Sequence, residues 1–205
     1  MSVEGWLVFA AFWAVFVATP GPNAVNIVST AMALGFRRTL PAVGAILCQA
    51  SLFLALSALG VTALLAASPG LFRALQVAGA GVLVWIGVRG WLAARRAAPP
   101  AAEPGRVFRN AFLIATINAK SVAGYLAAFS QFVEPGVPIG RQMLAIAPTA
   151  LTLTALSYTG YTAMGAGLGR GALGAVAGPW VRRAMSGLLA AYGVALGAGA
   201  LGRPA

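Results

Sequence analysis

Between residues 5 and 33 the chain is almost wholly apolar, and the stretch is interrupted only by Thr19-Pro20-Gly21-Pro22-Asn23. This interruption limits the folds open to it. Two prolines remove backbone donors and break the i→i−4 ladder, and the glycine between them weakens what is left. In lipid, each unsatisfied backbone group costs several kcal/mol. Such a break is stable only where neighbouring protein or a water-lined cavity takes up the freed groups. Asn23, Asn26 and Thr30 follow at i, i+3 and i+7, so one helix face is polar just past the break. A lone proline would read as a kink repaired by local side chains. Pro-Gly-Pro-Asn with a polar stripe reads as a substrate or ion site, with Pro20, Gly21, Pro22, Asn23 and Asn26 lining it.

Composition supports a membrane setting. Hydrophobic residues make up 60% of the chain and charged residues 8%, against a soluble norm of about 25% charged. The acids are Glu4, Glu103 and Glu134, and the chain contains no histidine and no aspartate. A Ser-His-Asp triad, a His/Asp metal set and an Asp-based phosphotransfer motif are therefore excluded, and neither an enzyme nor a cofactor is expected. The net charge of +11 sits in short basic clusters between apolar runs, with no continuous basic face, so a nucleic-acid partner is not expected. A single cysteine, Cys48, forbids an internal disulfide and reads as a small apolar filler.

A crossing helix needs about 20 mostly apolar residues, and six segments fit: 5–33, 40–65, 71–92, 111–133, 141–168 and 182–202. The first is too long for one straight crossing, as a break at Pro20–Pro22 requires. Turn chemistry separates the segments, at Gly35 and Pro41, Ser68-Pro69-Gly70, Pro99-Pro100 with Pro104-Gly105, and Glu134-Pro135-Gly136 with Pro138. The expected architecture is an all-α membrane protein of one domain, 1–205: half one 1–92, a cytoplasmic linker 93–110, and half two 111–205. Met1–Gly5 carries Glu4 and no basic residue, so the N-terminus does not read as a signal peptide. Arg37, Arg38, Arg89, Arg95, Arg96, Arg106, Arg109, Arg170, Arg182 and Arg183 fall on one side of this arrangement. Arg73, Arg141 and Arg203 fall on the other. The positive-inside rule then places both termini outside the cytoplasm, in the bacterial inner membrane. Three spans per half make the halves, if related, inverted repeats.

A weak internal echo fits that symmetry. Ala18-Thr19-Pro20-Gly21-Pro22-Asn23 aligns with Ala115-Thr116-Ile117-Asn118-Ala119-Lys120, each in the first span of its half. Lys120 lies about 16 Å into its span, near the middle of a core about 30 Å thick. Insertion scales put the cost of a lysine there at about 2.5–3.5 kcal/mol or more, and intramembrane ionisable groups are functional by default. Asn118, Ser121 and Tyr125 run beside it, and no acid lies at comparable depth. A substrate carboxylate could neutralise Lys120. The alternative is a structural lysine bonded to carbonyls freed by the first break. With no counter-ion to strand, Lys120→Met is expected to leave the chain folded, or more stable, while transport falls.

Two motifs resemble those of a known family. Pro20-Gly21-Pro22, followed by Gly35-Phe36-Arg37-Arg38 and Gly44, resembles the opening signature of the lysine-exporter/homoserine–threonine-efflux family of bacterial amino-acid exporters. Asn118-Ala119-Lys120, followed by Ala127-Ala128-Phe129-Ser130-Gln131-Phe132-Val133, resembles its Asn-Pro-Lys motif and the run after it. Ala119 stands where that motif has proline, which removes one reason for the fourth helix to break. Ser130 replaces another proline, and Cys48 stands where a small glycine is common. The resemblance implies a secondary exporter of an amino acid or similar small amphipathic metabolite, driven by the proton gradient.

Other polar positions complete the expected site. Gln49 carries an intramembrane amide that either touches substrate or bonds a neighbouring helix, and Ser121 and Tyr158 are further candidates for substrate contact. Thr154, Tyr158 and Thr162 share one face of the fifth segment and read as cavity lining. The glycines at 165, 167, 169 and 171, and Gly193 with Gly197, read as close helix packing, within the chain or across a homodimer. Trp6, Trp85, Trp91 and Trp180 near segment ends fit interfacial belts in contact with membrane lipid. A non-transporting membrane scaffold or partner subunit is the competing class. A channel would need a filter sequence or charged ring, and neither is visible.

Overall fold

Pro20 and Pro22 end one helix and begin the next. In the computed structural model, which describes residues 1–67, 69–92, 105–134, 136–168 and 179–201, α1 (Val3–Ala18) stops at Thr19, whose backbone is extended. The next helix, α2 (Pro22–Leu34), starts with proline in its first turn, where the missing N–H costs nothing. The two helices meet at a bend of 53°. Ser2 caps α1 by accepting from the Gly5 N–H at 3.0 Å.

Gly35, at φ +79°, turns the chain into α3 (Phe36–Ala67). It is followed by α4 (Pro69–Leu92), α5 (Val107–Ile117), α6 (Ala119–Phe132), α7 (Ile139–Leu168) and α8 (Pro179–Leu201). Among the described residues the fold is all-helical. Each of the six apolar segments read from the sequence coincides with one helix or one broken pair. By length and apolarity, Phe36–Gly60 and Ile139–Leu168 each suffice to cross a membrane, and α1 with α2 meets the same test as one bent unit.

Several boundaries differ from expectation. Pro41 lies inside α3 rather than in the preceding turn, because Gly35 alone reverses the chain and the proline falls only six residues into the helix. The expected loop 93–110 gives way to helix at Val107. Residues 93–104, Ser68, Pro135, Gly169, Arg170, Gly171 and Arg203 lie outside the described residues. Cys48 is exposed and fills no gap, since it precedes buried Gln49 by one residue and so points to a different face of α3.

The core divides at the first break. The α1 side chains Phe9, Phe12, Trp13 and Phe16 pack with Tyr125 and Phe132 of α6 in one cluster. Ala24, Ile27 and Val28 of α2 join a second cluster with Ile46 of α3, Ala115 of α5 and Tyr161 of α7. Lipid supplies no hydrophobic drive for helix association, so close packing and buried hydrogen bonds carry it. Trp13 accordingly donates its indole N–H to Ala150 O at 3.0 Å and to Thr154 Oγ1 at 3.1 Å on α7. The contacts are reciprocal: α1 and α2 pack on α7, while α5 and α6 pack on α3.

Candidate functional site

The polar residues gather where the two broken pairs meet. A continuous helix would aim the N–H of residue 20 at Phe16 O and that of residue 22 at Ala18 O, but both positions are proline. Side chains from elsewhere take these carbonyls. Lys120 donates from Nζ to Phe16 O and to Thr19 O, both at 2.6 Å. Tyr161 donates its hydroxyl to Ala18 O at 2.6 Å, and Ser157 donates to Val17 O at 3.2 Å. The break is thus closed by α6 and α7.

The second break forms without proline. Asn118 separates α5 from α6 with φ −68° and ψ 109°, nearly the conformation of Thr19 at φ −68° and ψ 116°. Its Oδ1 accepts from the Lys120 N–H at 3.1 Å, so an asparagine N-cap does here what the proline ring does in the first pair. Ala119 therefore leaves the fourth segment broken. The matching conformations pair Thr19 with Asn118, two residues away from the register suggested by the sequence echo.

Asn118 also donates from Nδ2 to Asn23 Oδ1 at 3.5 Å, a long contact, and the Asn23 side chain pairs with the Tyr158 hydroxyl. Lys120 runs over Gly21, where an added Cβ would lie 3.5 Å from its Cδ, and its ammonium sits 4.9 Å from the Phe16 ring centroid. Pro20, Gly21, Pro22, Asn23, Asn118, Lys120 and Tyr158 are therefore neighbours. Asn26 and Ser121 are buried but stand outside this hydrogen-bonded cluster. Among the described residues, fully buried Gln49 has no partner for either amide atom, and Thr30 Oγ1 is likewise unpartnered. Such groups carry a desolvation cost of about 1–3 kcal/mol each. Thr154 and Thr162 donate to Ala150 O and Tyr158 O on their own helix, so these hydroxyls are engaged in α7 itself.

The sequence did not single out Ser157 or Tyr161. Counting four residues back from each proline names the orphaned carbonyls, Phe16 and Ala18, but no sequence signal names their donors. The expectation that Lys120→Met would keep or raise stability also changes. With its ammonium on two carbonyls, loss of the lysine strands both. Two charge-assisted bonds at about 1.5–3 kcal/mol each outweigh the relief of about 2.5–3.5 kcal/mol from removing a buried charge.

A model of the LysE type translocator family matches residues 14–201. The chain belongs to this family. It is a membrane protein, and several of its relatives are named for efflux. It is 26% identical over 168 residues to the homoserine/homoserine lactone efflux protein of Salmonella typhimurium, covering 80% of this chain and 82% of the relative. The leucine efflux protein of the same organism is 26% identical over 150 residues, 71% of each chain. An uncharacterized membrane protein of Vibrio cholerae is 32% identical over 177 residues, 83% of this chain and 85% of that one. No solved structure matches this translocator.

Proposed function

We propose that this translocator exports a small zwitterionic amino acid, or a similar amphipathic metabolite, from the cytoplasm by secondary active transport driven by the proton gradient. The observation that carries this reading is the Lys120 ammonium resting on the carbonyls of Phe16 and Thr19. These carbonyls are the negative end of α1, a cradle built for an ammonium group. Close by, α2 and α6 begin at Pro22 and Ala119 with their positive ends, where a carboxylate is stabilised. In the proposed exchange, a substrate carboxylate draws Lys120 off the cradle, and the substrate's own ammonium takes the vacated carbonyls. Both substrate charges are then met without a protein acid. The relative named for leucine supports a substrate with one carboxylate and one amine, while homoserine lactone, in the name of the other, keeps the amine without a free carboxylate.

The halves would act as inverted repeats in six spans, rocking about this site, with both termini outside. Reciprocal packing of each broken pair on the other half's long helix supports that symmetry. So does the near-identical backbone at Thr19 and Asn118. The aromatic cluster of α1 and α6 closes one side of the site and would have to part for release.

The same two carbonyl bonds also suit a lysine that only mends the break. Efflux from cells loaded with a panel of amino acids, normalised to folded protein, separates the readings. Lys120→Met should lower the melting midpoint and reduce efflux per folded molecule at least tenfold. Lys120→Arg should recover stability better than transport, since a planar fork cannot reproduce a compact ammonium. Normal efflux per folded Lys120→Met molecule would leave Lys120 a structural role alone.

A further inference from the structure

The last turns of α4 lie against α8 at backbone contact. A Cβ added at Gly87 would lie 2.6 Å from Ser186 O and 2.7 Å from Ala190 Cβ, so only glycine fits there. Beside this crossing runs an apolar cleft of about 160 Å³ lined by Gly87, Val88, Trp91, Leu92, Gly187 and Ala190, with Ser186 at its wall. An apolar space of about 150 Å³ holds a benzene-sized molecule, so a short run of methylenes fits. Val88 and Leu92 are exposed, which opens the cleft to the surrounding membrane.

At its edge stands Arg183. Its guanidinium lies 5.7 Å from the Trp91 ring and 5.9 Å from the Trp180 ring, held between two exposed aromatics of the kind that settle at headgroup level. Its Nε is buried and has no hydrogen-bond partner among the described residues. No carboxylate among the described residues forms an ion pair with it, and Glu134 is engaged by the N-terminus of Met1. A second cation, Arg89, lies over Trp85 at 5.0 Å on a different face of α4, turned away from the cleft.

We propose that this corner is a binding site for an anionic phospholipid, its phosphate on Arg183 and one acyl chain in the cleft between α4 and α8. Positive charge and an apolar slot within a few residues of each other match the two halves of such a lipid. A free phosphate would use only the first, and a zwitterionic lipid offers no net charge to the Arg183 guanidinium.

The full chain, purified in a neutral detergent, is titrated with phosphatidylglycerol, phosphatidylethanolamine or inorganic phosphate while its melting midpoint is followed. Phosphatidylglycerol should raise the midpoint saturably, and the other two should not. Arg183→Gln should weaken half-saturation roughly five-fold or more, the worth of one interfacial arginine. Gly187→Leu keeps every charge but fills the cleft and should weaken it similarly. An equal rise with phosphatidylethanolamine or with phosphate, or unchanged half-saturation in both variants, would overturn the site. If a variant does not fold, the wild-type comparison of the three additives decides alone.

Discussion

Pro20 and Pro22 strip the helical partners from Phe16 O and Ala18 O, whereas residue 21, four on from Val17, is a glycine and keeps its N–H. The side chains that answer these carbonyls should therefore differ in worth. Tyr161→Phe removes a short bond from Ala18 O, whose helical donor position is occupied by Pro22, at a cost of about 0.5–1.5 kcal/mol. Ser157→Ala removes a longer and weaker bond, 3.2 Å against 2.6 Å, and should cost less than Tyr161→Phe. Melting of the two variants in the same detergent checks the order. Equal losses would mean that the prolines do not set the energetics of the break. At this scale the sequence named the orphaned carbonyls and Lys120, but Tyr161 looked like any other tyrosine on a membrane helix. Its role depends on α7 lying against α1, which no local pattern encodes.

At the scale of the element, close approach is where glycine decides. On α7, a Cβ at Gly165 would fall 2.7 Å from Val28 O and 2.8 Å from Ala31 Cβ of α2, while one at Gly160 would meet nothing within 4 Å. Gly165→Ala should force the helices apart and cost about 1–3 kcal/mol. Gly160→Ala should be neutral or stabilising by up to about 1 kcal/mol, since it adds helix propensity without a clash. Thermal midpoints of both variants test this, and a harmless Gly165→Ala would mean that α2 and α7 are not in register here. On α8, a Cβ added at Gly193 would fall 2.8 Å from Val84 N and one at Gly197 3.2 Å from Ala80 Cβ, so both are positions of close approach to α4. The sequence marked these glycines as packing residues but could not say which helix each would meet. The break at Asn118 was legible in the motif. Its persistence without proline was not, because an asparagine reads as a cap only once the chain is seen to turn extended there.

For the whole molecule, the basic residues divide ten to three between the two sides of the proposed six-span arrangement. That asymmetry should orient the chain with residues 93–110 in the cytoplasm and both termini outside. Cysteine labelling in intact cells tests it, in a background where exposed Cys48 is first replaced by alanine. A cysteine at Ala101 should react only after the inner membrane is permeabilised, and one at Ser2 should react before. The reverse pattern would invert the proposed direction of the site as well as the topology.

Composition, segment length and the two motifs determined the class and the sequence positions of the helices, because apolar run length and proline chemistry act locally along the chain. They also selected Pro20–Asn23 and Asn118–Lys120 as the polar segments, since a break or a charge inside an apolar run is costly wherever the run is folded. Tertiary structure alone decided which carbonyls Lys120 bonds, that Tyr161 and Ser157 complete the repair, and that Gln49 finds no partner among the described residues. Those outcomes depend on distances between helices far apart in sequence, set by how small residues let backbones approach.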